Sequence, residues 1–280
     1  MDLSNLMLGR HRVLKRTDNY IYIAPHPLIS LYIAHYTLSF PNPYKTVKIE
    51  TEEDLMLIPD ASGCLIYTWG ESGLTSSLWG PTTEIVTVNN DIDTTIRFFI
   101  EFMPGGVHVL TGIPQGEMVN LKLALDDIDK KLENTLLHTI ENNAILGEMI
   151  EAIDHFFLRI MEQRKISPYV QQALAYITTV SPCISIKELA INQVISERHL
   201  NRVFKEQIGI SPKMFMRFNR INKALTLLKY THSPNISFVA QELGYFDQAH
   251  FIKDFKSVCH VTPTSFIKNK SDFYNEDFKY

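Results

Sequence analysis

The chain of 280 residues is 45% hydrophobic and 21% charged, a composition that excludes a disordered or fibrous protein and is long enough for two folded domains. Its charge is uneven: residues 1–167 hold 13 Lys and Arg against 22 Asp and Glu, a net charge of −9, and residues 168–280 hold 14 against 9, a net charge of +5. The overall charge of −4 does not indicate a nucleic-acid binder, but the basic C-terminal part favours an acidic partner.

Residues 1–122 are predicted to form a β-barrel. Short segments rich in β-branched and aromatic residues are typical of strands, and turn formers such as Pro41-Asn42-Pro43 and Pro104-Gly105-Gly106 separate them. The predicted strands cover residues 20–23, 31–36, 55–58, 65–69, 84–88 and 96–102. Many short strands at this spacing favour a closed barrel or a jelly roll.

The predicted barrel contains candidates for a small-molecule pocket. The candidate ligand-binding residues are Tyr36, Tyr67, Trp69 and Arg97. Core packing is the more common role of any one aromatic residue, and Arg97 faces either solvent or the barrel interior. The sequence leaves these alternatives open.

Between residues 123 and 164 the apolar pattern becomes helical. Apolar residues recur at intervals of three and four, which predicts two amphipathic helices that meet near Asn142-Asn143. The apolar stripes of this helical connector either pack onto the barrel of the same chain or form a homodimer interface. Residues 163–168 form a short polar joint, and Pro168 suits the first turn of the next helix.

The last part of the chain, residues 168–270, is predicted to be helical and contains one pattern twice. The first copy includes Leu189-Ala190 and Phe204-Lys205, and the second includes Val239-Ala240 and Phe255-Lys256, with one additional residue between the two motifs of the second copy. A repeated helix-turn-helix unit on one small domain predicts contact with two successive segments of the DNA major groove.

The second helix of each unit is predicted to present polar residues to the outside. Ser196 and Asp247 are the predicted N-caps. The candidate DNA-binding residues are Arg198, Asn201, Arg202 and Lys205 in the first unit, and Gln248, Ala249, His250 and Lys253 in the second. Arg pairs with guanine O6 and N7, and Asn with adenine N6 and N7. His250 is more typical of a residue that seats the helix than of one that reads a base.

In this C-terminal part the chain resembles the AraC/XylS family of bacterial transcription regulators. The matching positions are Leu189-Ala190, Ser196-Glu197-Arg198-His199-Leu200, Phe204-Lys205, Gly209, Ser211-Pro212, Arg220, Ala224, Val239-Ala240, Gly244-Tyr245, His250-Phe251, Phe255-Lys256 and Pro263. The resemblance implies a seven-helix domain with two helix-turn-helix units, and it implies that the candidate residues other than Lys205 read bases.

Two positions depart from the family pattern. Val194 stands in the first turn and His260 stands before Thr262-Pro263, where the family usually has glycine. Since a β-branched residue disfavours positive φ, we expect the first turn to differ in shape.

The N-terminal part more loosely resembles the cupin-like barrel sensor domains of an uncharacterised subgroup that precede such DNA-binding domains. The resemblance lies in Pro25-His26-Pro27-Leu28, Pro59-Asp60, Gly80-Pro81-Thr82-Thr83 and Phe102-Met103-Pro104-Gly105-Gly106. It implies a response to a small-molecule effector without naming the molecule.

Several sequence features bear on the class of protein and its location. The sequence has no HxH pair, Walker A loop or GxSxG motif, and Cys64, Cys183 and Cys259 form no CxxC motif, which suits a reducing cytosol. No signal peptide or membrane span is predicted. The sequence therefore predicts a cytoplasmic, effector-responsive transcription regulator that binds double-stranded DNA, forms a homodimer, uses no cofactor, and contacts RNA polymerase if it is an activator. One alternative is a cupin-like barrel enzyme that carries a DNA-binding domain, and another is a ligand-free regulator whose barrel makes only protein contacts.

Overall fold

The protein consists of an N-terminal region of mainly antiparallel strands and a C-terminal helical region. The computed structural model describes residues 12–41, 54–71, 73–88, 95–179, 184–230 and 235–269, and the backbone of residues 273–274. The predicted turn at Asn42 and Pro43 and the predicted free cysteine Cys183 lie outside these residues.

Most of the described strands belong to one sheet. The strands are β1 Val13–Arg16, β2 Tyr20–Ile23, β3 Ile33–Ser39, β4 Leu55–Leu57, β5 Cys64–Gly70, β6 Gly73–Trp79, β7 Val86–Val88, β8 Ile96–Phe102, β9 Lys122–Leu123 and β10 Phe273–Tyr274. The larger sheet has the order β1-β2-β3-β8-β5-β6-β9, in which all neighbouring strands are antiparallel, and the smaller sheet has the order β10-β4-β7.

The predicted strand segments all overlap observed strands, but three strands of the larger sheet, β1, β6 and the two-residue β9, were missed. β6 has the sequence Gly-Leu-Thr-Ser-Ser-Leu-Trp, whose small polar residues do not match the β-branched and aromatic composition used to predict strands. β1, Val-Leu-Lys-Arg, is short and mostly exposed. All three strands are defined by pairing with a neighbour, β6 with β5, β1 with β2 and β9 with β6.

Three helices follow β8 before the C-terminal region begins: α1 Gly106–Thr111, α2 Leu125–Glu141 and α3 Leu146–Gln163. The apolar stripes of α2 and α3 are buried in one core with the larger sheet, and Leu136 and Phe157 are only 0% and 3% exposed. The described structure therefore agrees with the first of the two alternatives, in which these stripes pack onto the sheet of the same chain. A charged residue at either position would disrupt this core rather than release a folded monomer.

Asp154 on α3 joins that helix to the sheet. Its carboxylate accepts hydrogen bonds from the Arg12 guanidinium at 2.6 Å, the Tyr36 hydroxyl at 2.8 Å and the His26 backbone N–H at 3.2 Å. A buried carboxylate is tolerated when its oxygens are paired in this way. Burial and the neighbouring Asp154 charge raise the pKa of Tyr36 well above its usual value, so the phenol stays neutral and donates.

Glu133 on α2 makes a second buried polar contact with the sheet, because its carboxylate lies 3.3 Å from the Tyr67 hydroxyl. Burial raises the pKa of Glu133 above its usual value, which means that the folded state favours the neutral acid more than the unfolded state does. The stability contributed by this group is present below its unfolded pKa and is lost as the pH rises through the folded pKa.

We therefore expect Glu133→Gln to be more stable than the parent near neutral pH, because the amide keeps the shape of the side chain without the cost of ionisation. The gain should shrink as the pH falls through the raised folded pKa, and it should be lost once the pH is below the ordinary value of 4.5, where the parent carboxyl is protonated in both states. Urea unfolding between pH 4 and pH 8, followed by circular dichroism, measures this difference. A constant difference at all pH values would contradict the assignment.

The C-terminal region contains the helices α4 Pro168–Thr179, α5 Ile186–Asn192, α6 Glu197–Ile208, α7 Pro212–Tyr230, α8 Ile236–Glu242, α9 Gln248–Cys259 and α10 Pro263–Lys268. A core of large aromatic side chains holds them together, and its fully buried rings are Phe204, Phe215, Phe251, Phe255 and Phe266. The long helix α7 lies between the two short helix pairs and contributes to the same core.

The two regions contact each other at the C-terminal end of α6. Tyr32 of the N-terminal region is buried in the C-terminal core, and its hydroxyl oxygen accepts the Ile166 backbone N–H at 3.4 Å. Gly209 ends α6 with a φ of +91°, and a Cβ there would lie 3.0 Å from the Gln115 carbonyl oxygen. Glycine at this position therefore permits both the helix end and the close approach of the N-terminal region.

None of the helices in the described ranges combines the length and apolar character that a membrane crossing requires.

Candidate nucleic-acid interface

Two helix pairs, α5–α6 and α8–α9, have the same local construction. In each pair both helices begin at a side chain that accepts a backbone N–H: Ser185 and Ser196 in the first pair, and Asn235 and Asp247 in the second. Ser185 and Glu188 also form a reciprocal capping box, and these hydrogen bonds lower the pKa of Glu188. The predicted N-caps at Ser196 and Asp247 are confirmed, so the start of each second helix is fixed by the local sequence.

The turns of the two pairs are closed by equivalent hydrogen bonds. The Ile195 N–H donates to the Ala190 carbonyl at 3.1 Å, and the Tyr245 N–H donates to the Ala240 carbonyl at 2.9 Å. Val194 has a φ of +55° and Gly244 has a φ of +71°. The expectation that Val194 would change the shape of the first turn was therefore wrong, because Val194 takes the same left-handed conformation as Gly244 and the turn keeps the equivalent hydrogen bond.

Val194→Gly should stabilise the protein by about 1 kcal/mol. A left-handed conformation costs a β-branched residue more than this, and the greater entropy of glycine in the unfolded state offsets part of the gain. The Val194 side chain is 92% exposed, so little packing is lost. Urea unfolding of the variant measures the gain. Val194→Ala is the matched control and should fall between the two, whereas destabilisation by glycine would contradict the strain argument.

The additional residue of the second unit lies in its turn. Ile195 is followed directly by the N-cap Ser196, whereas Phe246 stands between Tyr245 and the N-cap Asp247. Phe246 is 93% exposed. The insertion thus leaves the helices in place and explains the one-residue difference in spacing between the two sequence copies.

On α6, the candidate DNA-binding residues lie on one outer face. Arg198, Arg202 and Lys205 are exposed, and Asn201 is partly exposed. Arg202 forms a salt bridge with Glu206 at 3.1 Å, one helical turn later. The (i, i+4) spacing of an arginine and a glutamate on one helix is a sequence signal of such a pair.

On α9, Gln248, Ala249, His250 and Lys253 are all exposed. The His250 ring packs edge-on against the Tyr245 ring at 5.3 Å between centroids, and His199 on α6 packs in the same way against Tyr169 at 5.7 Å. These contacts agree with a role of His250 in seating its helix. Ser237 on α8 donates a hydrogen bond to Gln248 Oε1 at 3.0 Å, a contact that the sequence analysis missed.

Asp254 holds α9 against α7. Its carboxylate accepts the Arg217 Nε–H at 2.6 Å and the Tyr245 hydroxyl at 2.8 Å, and the Arg220 guanidinium lies 4.0 Å away. The Arg220 guanidinium also lies over the Tyr245 ring, 5.0 Å from its centroid. Burial, followed by the contact with Asp254, raises the pKa of Tyr245. These arginines therefore position the second helix pair, which the sequence did not reveal.

The four candidate ligand residues are not brought together. Tyr36 and Tyr67 are buried toward α2 and α3, where their hydroxyl groups contact Asp154 and Glu133, and Trp69 packs against the same core. Arg97 is paired with Ser39 and with Thr68 in the sheet register. Because neighbouring residues of a strand alternate in direction, Arg97 belongs to the opposite face from Phe98.

Within the described residues, no three His, Cys, Asp or Glu side chains form a group that could hold a metal ion. Burial raises the pKa of the Cys259 thiol to about 12, so this cysteine is a core residue and not a reactive thiolate.

Comparison with known proteins identifies the C-terminal region. Residues 189–269 match the family described as a helix-turn-helix domain. The chain is 29% identical to an uncharacterized HTH-type transcriptional regulator of Haemophilus influenzae over an alignment of 140 residues. This alignment covers 50% of this chain and 45% of that protein. It is 24% identical to the lactose operon transcription activator of Staphylococcus xylosus over an alignment of 162 residues. That alignment covers 57% of this chain and 58% of that protein.

Among solved structures, the C-terminal domain of AraT, a response regulator from Geobacillus stearothermophilus, is 27% identical with a TM-score of 0.35, over 38% of this chain and 88% of that chain. The chain spans about half to three fifths of the length of the first curated relatives it matches. The predicted AraC-type helix-turn-helix domain is confirmed by the family match and by relatives that are transcriptional regulators.

Proposed function

We propose that this protein is a sequence-specific transcription regulator that binds double-stranded DNA through both helix pairs. The observation that carries the proposal is the equivalent construction of the pairs, which have the same turn hydrogen bond and a capped second helix with exposed polar residues at its start. In a helix-turn-helix unit the second helix enters the major groove and its N-terminal residues contact base edges. Each pair is one such unit.

The base-reading residues in this proposal are Arg198, Asn201 and Arg202 on α6 and Gln248, Ala249, His250 and Lys253 on α9. Lys205 contributes phosphate attraction, which is independent of sequence. The net charge of +5 over residues 168–280 supports an electrostatic contribution from this region as a whole.

The N-terminal region, residues 1–122, is the effector-responsive part, in which the two sheets belong to a closed cupin-like barrel of the subgroup that its sequence resembles. Arg97 lies on the sheet face that also contains Thr37 and Ser39. These two residues are 4% and 1% exposed, and their hydroxyl oxygens have no hydrogen-bond partner within the described residues. Buried polar groups of this kind suit a bound polar molecule. In this proposal the effector therefore contacts these two hydroxyls, and not Tyr36 and Tyr67.

The proposed boundary between the parts lies at residues 163–168, after the connector of residues 123–164 and before the DNA-binding domain of residues 168–270. The regulator acts in the cytoplasm, and if it is an activator it contacts RNA polymerase. A homodimer would place two copies of each helix pair on one operator. Since the stripes of α2 and α3 are buried within the chain, such a dimer uses another surface.

Selection of genomic DNA fragments by the purified full chain tests the proposed function. We expect enrichment of one sequence that spans two successive major-groove segments, about one helical turn apart. Binding that is equally strong to all fragments, or absent at low salt, would contradict the proposal. A substrate turnover or metal content linked to the N-terminal region would instead support a cupin-like enzyme that carries a DNA-binding domain.

A further inference from the structure

The segment at the start of α9 is exposed without interruption. Residues 246–250 are all exposed, and they run from the last residue of the turn, through the N-cap Asp247, to the first three residues of the helix. Among the large apolar side chains in the described part of the chain, that of Phe246 is the most exposed, at 93%. Its ring therefore packs against almost nothing in the chain, so an apolar partner for it has to come from another molecule.

Phe246 lies at the end of α9 that enters the DNA in the proposed function, and the residues on both sides of it are fixed. On one side, the Asp247 carboxylate accepts the His250 backbone N–H at 2.7 Å. On the other side, Tyr245 is buried and its hydroxyl donates to Asp254 at 2.8 Å. The N-terminal residues of the second helix of a helix-turn-helix unit contact base edges. The ring of Phe246 is therefore carried by a fixed backbone at the edge of the groove.

The two units differ chemically at this end. Two residues after its N-cap, the first unit has Arg198 and the second has Ala249. Directly before its N-cap, the second unit has the inserted Phe246, which has no counterpart in the first. The start of α6 thus presents a guanidinium group to DNA, whereas the start of α9 presents an aromatic ring and a methyl group.

The major groove offers one apolar group to such a surface, the C5-methyl group of thymine. An arginine pairs with guanine O6 and N7, but a phenylalanine ring and an alanine methyl group form no such hydrogen bonds and contact the thymine methyl group instead. Removing this methyl group and the ring from water together is favourable. The chemistry at the start of α9 therefore matches thymine and no other base.

We propose that Phe246, together with Ala249, contacts the 5-methyl group of a thymine, so that the second unit selects an A·T base pair through an apolar contact. This inference rests on the proposed function and deepens it, because it adds Phe246 to the base-reading residues and assigns a contact to Ala249. The operator then combines a guanine, contacted by Arg198, in one major-groove segment with a thymine in the next.

The test is binding of the full chain to its selected operator and to duplexes in which one thymine at a time is replaced by deoxyuridine. Deoxyuridine keeps every hydrogen-bonding group of thymine and lacks only the 5-methyl group. In the parent we expect one replacement in the segment contacted by α9 to weaken binding about fourfold, the factor for one methyl group that is no longer removed from water. Fluorescence anisotropy measures the affinities.

Phe246→Ala should bind the thymine and deoxyuridine duplexes equally well at that position, and it should bind the operator about tenfold more weakly than the parent. Phe246→Leu keeps an apolar side chain and should retain a methyl effect of about threefold. Phe238→Ala is the matched control, because Phe238 is an exposed phenylalanine on α8 of the same helix pair, and it should retain the fourfold effect. Since the Phe246 side chain is exposed, its variants should unfold at the same urea concentration as the parent.

The outcomes separate this inference from the proposed function. Parent affinity that is unchanged by every deoxyuridine replacement, or a methyl effect that persists in Phe246→Ala, would overturn the inference while leaving sequence-specific binding intact. Equal weakening of operator and unrelated DNA by Phe246→Ala would indicate a contact with the DNA backbone and would overturn it as well. A parent that enriches no sequence from genomic DNA would overturn the proposed function and the inference together.

Discussion

Asp254→Ala should lower the free energy of unfolding by about 3 kcal/mol, at the lower end of the range for broken buried ion pairs because the Arg217 side chain is 31% exposed. The substitution removes the acceptor shared by Arg217 and the Tyr245 hydroxyl. It leaves two guanidinium groups close together without their carboxylate. Urea unfolding of the full chain measures the loss.

The same substitution should weaken DNA binding, because α9 is held to α7 through this carboxylate. Asp254→Asn is an instructive second variant, since it keeps the volume and one acceptor oxygen and should lose less stability than alanine. Glu242→Ala removes an exposed acid from the same region and should change stability by no more than about 0.5 kcal/mol. If Asp254→Ala and Glu242→Ala had the same small effect, the positioning role of Asp254 would be refuted.

Arg198→Ala and Arg202→Ala should each weaken binding to the selected operator by about 1–3 kcal/mol if the arginine makes a bidentate base contact, with little change in binding to unrelated DNA. Both side chains are exposed near the start of α6, so the variants should remain as stable as the parent. Fluorescence anisotropy with specific and scrambled duplexes measures the two affinities. Parent-like affinity of both variants for the operator would refute the assignment of α6.

Two variants on the same helix serve as controls. Lys205→Ala should weaken specific and non-specific binding together and reduce the salt slope by about one unit, as expected for a phosphate contact. Glu206→Gln should improve binding by about 0.5 kcal/mol, because it removes the exposed partner of Arg202 together with one negative charge beside the DNA. A loss of specificity in Lys205→Ala would indicate a base contact instead.

The sequence alone determined those features that depend on neighbouring residues. The second helices begin where Ser196 and Asp247 cap them, and α2 and α3 follow the three-and-four spacing of their apolar residues. The repeated pattern located α6 and α9 and their outer faces, since the side-chain directions of a helix follow from its periodicity.

The tertiary structure decided what depends on partners distant in the chain. The apolar pattern of an amphipathic helix does not indicate which surface covers it. Only the fold therefore showed that Leu136 and Phe157 pack within the chain. Strand β6 lacked a compositional signal and is defined by its pairing with β5. Val194 has a left-handed φ in the turn between α5 and α6, although the residue itself disfavours that conformation.

The same division applies to the candidate site. Exposed residues of one helix face were predictable, but contacts between helices were not, because Ser237 with Gln248 and Arg217 with Asp254 are 11 and 37 residues apart in the chain. The sequence by itself thus determined which side chains face the DNA in the proposed function. Only the tertiary structure decided which residues distant in the chain contact them, because a hydrogen bond is set by the position of both partners in space.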